Sequence, residues 1–109
     1  MTEAVLERLA AIVESRRGQS GDTSYTRRLL DAGAEQCARK LGEEATETII
    51  AALGSDRGAL KREAADLLYH LVVLLECRGV PWRDVMAELD RRIGTSGLAE
   101  KAARKEGTS

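Results

Sequence analysis

Five carboxylates are spaced along the chain so that they could hold a divalent cation between two helices. Glu43, Glu44 and Glu47 lie in one stretch, and Glu63 and Asp66 follow after fifteen intervening residues. Residues three or four apart share a helix face, so Glu44 projects with Glu47, and Glu63 with Asp66. Across an antiparallel helix hairpin these carboxylates would crowd together, which is costly unless a cation lies between them. Such hard oxygen ligands suit Mg²⁺, with Mn²⁺ as the alternative.

The neighbours of the acidic residues indicate that both acidic faces border the protein core. An apolar line that includes Leu41 and Ala45 runs beside the first group, and one that includes Leu67 and Leu71 runs beside the second. The alternative interpretation is a solvated acidic flank, because charges on helices usually face water. Two acidic pairs on adjacent helices, each bordering an apolar stripe, favour a functional site.

The acidic residues and the sequence segments around them resemble those of a known family. The spacing Glu43-Glu44-x-x-Glu47 followed by Glu63-x-x-Asp66 is similar to the metal motif of the all-alpha nucleoside triphosphate pyrophosphatase (MazG-like) superfamily. Three longer stretches resemble, within it, the phosphoribosyl-ATP pyrophosphohydrolase family of histidine biosynthesis: residues 24–30, 40–47 and 63–71. The likeness covers roughly residues 4–93, and the tail from Gly94 onward lies outside it.

The resemblance implies an enzyme that hydrolyses phosphoribosyl-ATP to phosphoribosyl-AMP and pyrophosphate, with Mg²⁺ as its cofactor. The metal ligands that we expect are the two acidic pairs, Glu44, Glu47, Glu63 and Asp66. Glu43 is either a further ligand or the base that takes a proton from the attacking water. Arginine suits phosphate because its planar fork donates to two oxygens at once. The resemblance therefore favours phosphate contact by three basic residues that could otherwise be solvated surface: Lys40, Arg28 and Arg27.

Three other functions stay open from the residues alone. A house-cleaning pyrophosphatase of the same superfamily, acting on non-standard nucleoside triphosphates, would carry the same acidic motif. A non-catalytic helical dimerisation module would bind divalent ions weakly and turn nothing over. A di-iron bundle normally needs Glu-x-x-His on two helices, and His70 is the single histidine.

Apolar periodicity predicts an all-α, four-helix bundle-like fold with four main helices and one short helix. The chain has 109 residues, enough for one domain over residues 1–93, followed by a tail over 94–109. We expect the helices at 3–16, 24–32, 34–53 and 57–78, and a last one opened by Pro81. A net charge of −1 argues against nucleic-acid binding, and the absence of an eighteen-residue apolar run argues against a membrane span.

The run from Leu67 to Leu75 is apolar almost all round, more than a helix in a small monomer can bury. It predicts a homodimer in which this helix packs across the two-fold axis, and the resemblance implies helices shared between subunits. His70 is expected to be a buried histidine. Cys37 and Cys77 are expected to be small core residues in a reducing cytoplasm.

Overall fold

The computed structural model describes residues 3–17 and 24–94, which form five α-helices and no strand. The all-α prediction, with four main helices and one short one, is therefore confirmed. The bounds are α1 Glu3–Arg16, α2 Tyr25–Ala32, α3 Ala34–Leu53, α4 Arg57–Cys77 and α5 Trp82–Gly94. The predicted tail lies outside the described residues, apart from Gly94, which ends α5.

Capping residues explain where the helices begin and end. Gly33 has φ +98°, which L side chains rarely adopt, and it separates α2 from α3. The Oδ1 atom of Asp56 accepts hydrogen bonds from the first turn of α4, at 2.9 and 3.1 Å. Gly79, with φ +75°, follows α4, and the N–H of Val80 returns to the carbonyl of Leu75 at 2.9 Å. These local signals were readable in the sequence, so the expected bounds are nearly those observed.

The α3–α4 hairpin is the frame of the protein, and the other helices pack around it. A three-residue connection at 54–56 joins the two helices and makes them antiparallel. The hydroxyl of Thr48 donates to the carbonyl of Glu44 in its own helix at 2.7 Å and to the carbonyl of Glu63 in α4 at 3.2 Å. This contact fixes the register of the hairpin at the level of the acidic residues.

The apolar run in α4 is used mainly inside its own subunit. Val72 and Val73 are almost fully buried, and Leu71 and Leu74 pack against the same core. Leu68 is the large apolar residue of this run that stays exposed. Exposed large apolar side chains are instead grouped at the end of α3, where Ile49, Ile50 and Leu53 are 60%, 65% and 84% exposed; Ile93 of α5 is 67% exposed. The densest group of exposed apolar side chains therefore lies at the end of α3 and not on the run of α4 for which it was predicted.

Two arginines tie the end of α1 to the rest of the bundle. Arg17 donates from Nε to the carboxylate of Glu76 at 2.7 Å and also donates to the main-chain carbonyl of that residue. Arg27 donates from Nη1 to the carbonyl of Arg17 at 2.6 Å, and from Nε to Asp31 at 2.9 Å. The carbonyls at the end of α1 thus accept hydrogen bonds from a side chain of α2. The last carbonyls of a helix have no partner within the helix and need such donors.

Gly42, inside α3, offers a test of the packing. A Cβ built at this residue would meet nothing within 4 Å among the described residues. Glycine costs about 1 kcal/mol relative to alanine in a helix interior. We therefore expect Gly42→Ala to raise the free energy of unfolding by about that amount, measured by urea denaturation. A destabilised variant would contradict this, and would mean that a neighbour occupies the space beside Gly42.

Candidate metal and active site

Three of the predicted ligands converge between α3 and α4. Glu44, Glu63 and Asp66 each offer a carboxylate oxygen, and these three oxygens lie within 4.8 Å of one another. Glu44 comes from α3, and the other two come from one face of α4. Three carboxylate oxygens at this separation can hold a single hard cation between them. The hairpin thus brings together, as the motif predicted, acids that are nineteen and twenty-two residues apart in sequence.

Partial burial of Glu44 and Glu63 distinguishes this cluster from a surface patch, while Asp66 is exposed. Glu44 is only 9% exposed. The Oε1 atoms of Glu44 and Glu63 are buried, and among the described residues no hydrogen-bond donor reaches either of them. A buried carboxylate oxygen without a donor is costly. A divalent cation would give both oxygens a partner, so these residues fit a Mg²⁺ or Mn²⁺ ion.

The pKa shifts of the clustered carboxylates also favour a cation at this site. Burial raises the pKa of Glu44, and the charges of Glu47 and Asp66 raise it further. Burial also raises the pKa of Glu63, with Glu47 and Glu44 as the next contributors. Glu47 thus adds negative charge to the cluster, although it stands outside the group of three whose oxygens meet. Its role as a ligand stays a prediction.

Glu43 and Lys40 form an ion pair beside the cluster. The ammonium of Lys40 lies 3.1 Å from Oε1 of Glu43, and both side chains are partly exposed. Hydrogen bonding and charge from Glu43 raise the pKa of Lys40, and Tyr25 and Glu44 act in the same direction. Lys40 is therefore close to the carboxylates and keeps its positive charge, as a phosphate contact requires. Whether Glu43 acts as ligand or as base stays a prediction.

The two arginines predicted to contact phosphate both lie on α2. Arg27 is engaged by Asp31 and by the end of α1, so phosphate contact would need its guanidinium to exchange partners. Arg28 is exposed on the same helix. Their roles toward phosphate stay predictions.

His70 is buried, as expected, and belongs to an aromatic cluster next to the acids. Its ring packs edge-on against Tyr69, with centroids 4.9 Å apart, and against Tyr25 at 6.2 Å. The rings of Tyr25 and Tyr69 lie roughly parallel at 6.4 Å. Burial lowers the pKa of His70, and the nearby Lys40 lowers it further. Asp66 and Glu43 oppose this shift but do not reverse it, so the environment of His70 disfavours its charged form.

Sequence reasoning missed the part played by Thr48. A threonine in an otherwise apolar line of a helix gave only a weak signal, because threonine hydroxyls often bond within their own helix. The second bond, to α4, depends on the hairpin register and has no counterpart in local sequence.

A separate cavity of about 490 Å³ at the C-terminal end of α4 is lined by Trp82, Met86 and others, and contains none of the predicted site residues.

An all-α hairpin with carboxylates placed around a potential cation site is what the nucleoside triphosphate pyrophosphatase motif predicted. Comparison with protein families then identifies the family within this superfamily. Residues 6–93 match the family described as phosphoribosyl-ATP pyrophosphohydrolase. The chain belongs to this enzyme family, which confirms the assignment made from the sequence motifs.

Curated relatives agree over nearly their full length. A "Phosphoribosyl-ATP pyrophosphatase" of Cereibacter sphaeroides is 59% identical over 101 residues, covering 93% of this chain and 98% of the relative. The protein of the same name from Rhodobacter capsulatus is 59% identical over 99 residues, covering 91% and 96%. That of Agrobacterium fabrum is 55% identical over 104 residues, covering 95% and 97%. Among the described residues, no helix is both long and apolar enough to cross a bilayer.

The raised pKa of Glu63 gives a stability prediction for the metal-free protein. Because this pKa is higher in the folded state than its ordinary 4.5, the folded protein binds more protons and loses stability as pH rises above that value. We therefore expect Glu63→Gln to raise the melting temperature near pH 7.5 in chelator, and to have a smaller effect near pH 4.5.

Thermal unfolding followed by circular dichroism at both pH values would measure this. Glu35→Gln is the matched control, because its side chain is 93% exposed at the start of α3. A Glu63→Gln protein that melts below the wild type near pH 7.5 would contradict the proposed repulsion.

Proposed function

We propose that this protein is a Mg²⁺-dependent hydrolase that converts phosphoribosyl-ATP to phosphoribosyl-AMP and pyrophosphate in histidine biosynthesis. The observation that carries the proposal is the convergence of Glu44, Glu63 and Asp66 on one point of the α3–α4 hairpin. Membership of the phosphoribosyl-ATP pyrophosphohydrolase family supports the choice of substrate. Mn²⁺ is the alternative cation, because it accepts the same oxygen ligands.

The charges of substrate and site explain why a cation is needed. A triphosphate carries several negative charges and is repelled by bare carboxylates. In this proposal Glu44, Glu63 and Asp66 hold the ion, and Glu47 completes the set. A bound Mg²⁺ supplies charge relief to the phosphate oxygens and lowers the pKa of a coordinated water.

The remaining groups of the site act around the reacting phosphate. Glu43 takes the proton from the attacking water or adds a further ligand. Lys40, which stands next to it, stabilises negative charge on the phosphates, and Arg28 and Arg27 extend this basic surface along α2. The two free cysteines are compatible with a reducing cytoplasm as the place of action.

Pyrophosphate release from purified protein tests the reaction. We expect Mg²⁺-dependent release from phosphoribosyl-ATP in preference to a panel of standard and damaged nucleoside triphosphates. Glu44→Gln and Asp66→Asn should each lower turnover at least about 100-fold while the helical circular dichroism stays the same. Glu35→Gln, on the same helix but exposed, should keep wild-type turnover.

Two results would count against the proposal. Preference for a damaged nucleoside triphosphate would indicate the house-cleaning reaction instead. Near wild-type turnover in both site variants would remove the metal-site assignment.

We further propose that the protein is a homodimer, with the exposed apolar face of α3 at its interface. Ile49, Ile50 and Leu53 lie on neighbouring faces of the last turns of α3. Exposed apolar surface forgoes on the order of 25 cal/mol per Å², and a contiguous apolar patch usually marks an interface. A two-fold pair of α3 helices would cover this patch. The run in α4 would then contribute mainly through Leu68.

Light scattering on the wild type and on Ile50→Asp tests the assembly. We expect a dimer mass for the wild type at micromolar concentration and a monomer for the variant, because a buried unpaired carboxylate opposes association. Ala38→Asp, exposed near the start of the same helix, is the matched control and should stay dimeric. A monomeric wild type would refute the dimer, and a dimeric Ile50→Asp would place the interface elsewhere.

A further inference from the structure

The aromatic residues of this chain are few, and their placement is informative. The sequence contains two tyrosines, one tryptophan and no phenylalanine. Both tyrosines and the single histidine meet in one cluster, whereas Trp82 is buried elsewhere at the start of α5. The three rings are thus gathered in one cluster near the carboxylates and are not spread through the core.

Within the cluster, Tyr25 is the outer ring. It is 46% exposed, while His70 is only 6% exposed. The hydroxyl of Tyr69 is hydrogen-bonded to the buried Thr26, so this second tyrosine is anchored inward. Among the residues that the structure describes, no other aromatic ring is exposed. Tyr25 therefore offers a π-face to solvent, supported from behind by two fixed rings.

The helix that carries Tyr25 holds the ring in place. Tyr25 is the first residue of α2, directly after Ser24, whose hydroxyl accepts a hydrogen bond from the N–H of Arg27 at 3.2 Å. A ring on a capped first turn, supported by two fixed rings, loses little freedom when a planar ligand packs on it.

The exposed ring also lies close to the carboxylate cluster. His70, which contacts Tyr25, is four residues after Asp66 on α4, about 6 Å along the helix axis. Lys40 pairs with Glu43, the neighbour of Glu44 in sequence, so a cation also lies beside the carboxylates. A planar group on Tyr25 would thus lie next to His70, which is itself about one helical turn from Asp66.

We propose that Tyr25 is the stacking platform for the purine ring of the nucleotide whose phosphates lie at Glu44, Glu63 and Asp66. This inference rests on the proposed function of that site, and it adds a residue that recognises the base. Base–aromatic stacking is strong enough to set affinity, with truncation of the ring costing roughly tenfold to a hundredfold. Tyr25 is a specificity residue in this account and takes no part in the bond-breaking step.

Paired ligands separate base recognition from phosphate binding. We expect Tyr25→Leu to weaken binding of AMP in the presence of Mg²⁺ by roughly 10- to 100-fold, measured by calorimetry. Binding of inorganic pyrophosphate should stay within about twofold, because it has no base to stack. Tyr25→Phe is the matched control and should bind AMP as the wild type does, since it keeps the ring. With phosphoribosyl-ATP, Tyr25→Leu should raise KM and leave kcat nearly unchanged.

A fluorescent variant gives a readout that does not depend on truncation. In Tyr25→Trp, a stacked purine should quench the new indole, so AMP should lower its emission and pyrophosphate should not. The wild type is the control, because its one tryptophan, Trp82, is buried outside the cluster.

The outcomes distinguish this inference from the proposed function. Unchanged AMP binding by Tyr25→Leu, equal loss of AMP and pyrophosphate, or no quenching in Tyr25→Trp would each overturn the stacking role. A wild type that does not hydrolyse phosphoribosyl-ATP would refute the proposed reaction, while the AMP measurements would still decide the role of Tyr25.

Discussion

Mutual repulsion among closely spaced, partly buried carboxylates is the constraint on which this structure depends. Glu44, Glu63 and Asp66 place their oxygens within 4.8 Å of one another, and two of those side chains bury an oxygen that no described donor reaches. Packing elsewhere in the α3–α4 hairpin must offset this cost in the folded state without metal. This repulsion lowers the stability of the metal-free protein, and the same arrangement is suited to binding a small, doubly charged cation.

The rest of the fold keeps that cluster in register. Asp56 caps α4 directly after the turn, and Thr48 bonds across the hairpin to the backbone of Glu63. At the other end of α4, Arg17 pairs with Glu76 and so joins α1 to the same frame. The buried core between these points is small, with Val13 and Val73 among its few fully buried side chains. Ile49, Ile50 and Leu53 at the end of α3 stay exposed, which agrees with the proposed dimer.

Much of this architecture was predictable because its signals are local. Gly33 and Gly54 flank α3, and Asp56 is a typical N-cap residue before α4. The predicted helices therefore nearly match those observed. The three central acids were also predictable, because their spacing places them on facing sides of a hairpin. The local pattern failed where contacts are tertiary. Leu71 and Leu74 are partly buried because they pack against the core of the subunit, and the bond from Arg27 to the end of α1 depends on helix placement. Neither contact follows from residues adjacent in sequence.

The central claim is that one divalent cation binds between Glu44, Glu63 and Asp66. Anomalous diffraction from a crystal grown with Mn²⁺ tests it most directly, because the signal locates the ion without reference to activity. The account predicts a manganese peak in direct contact with carboxylate oxygens from all three residues, and loss of that peak in Glu44→Gln. A fully occupied peak held by other residues, or no peak at this cluster at millimolar Mn²⁺, would contradict it.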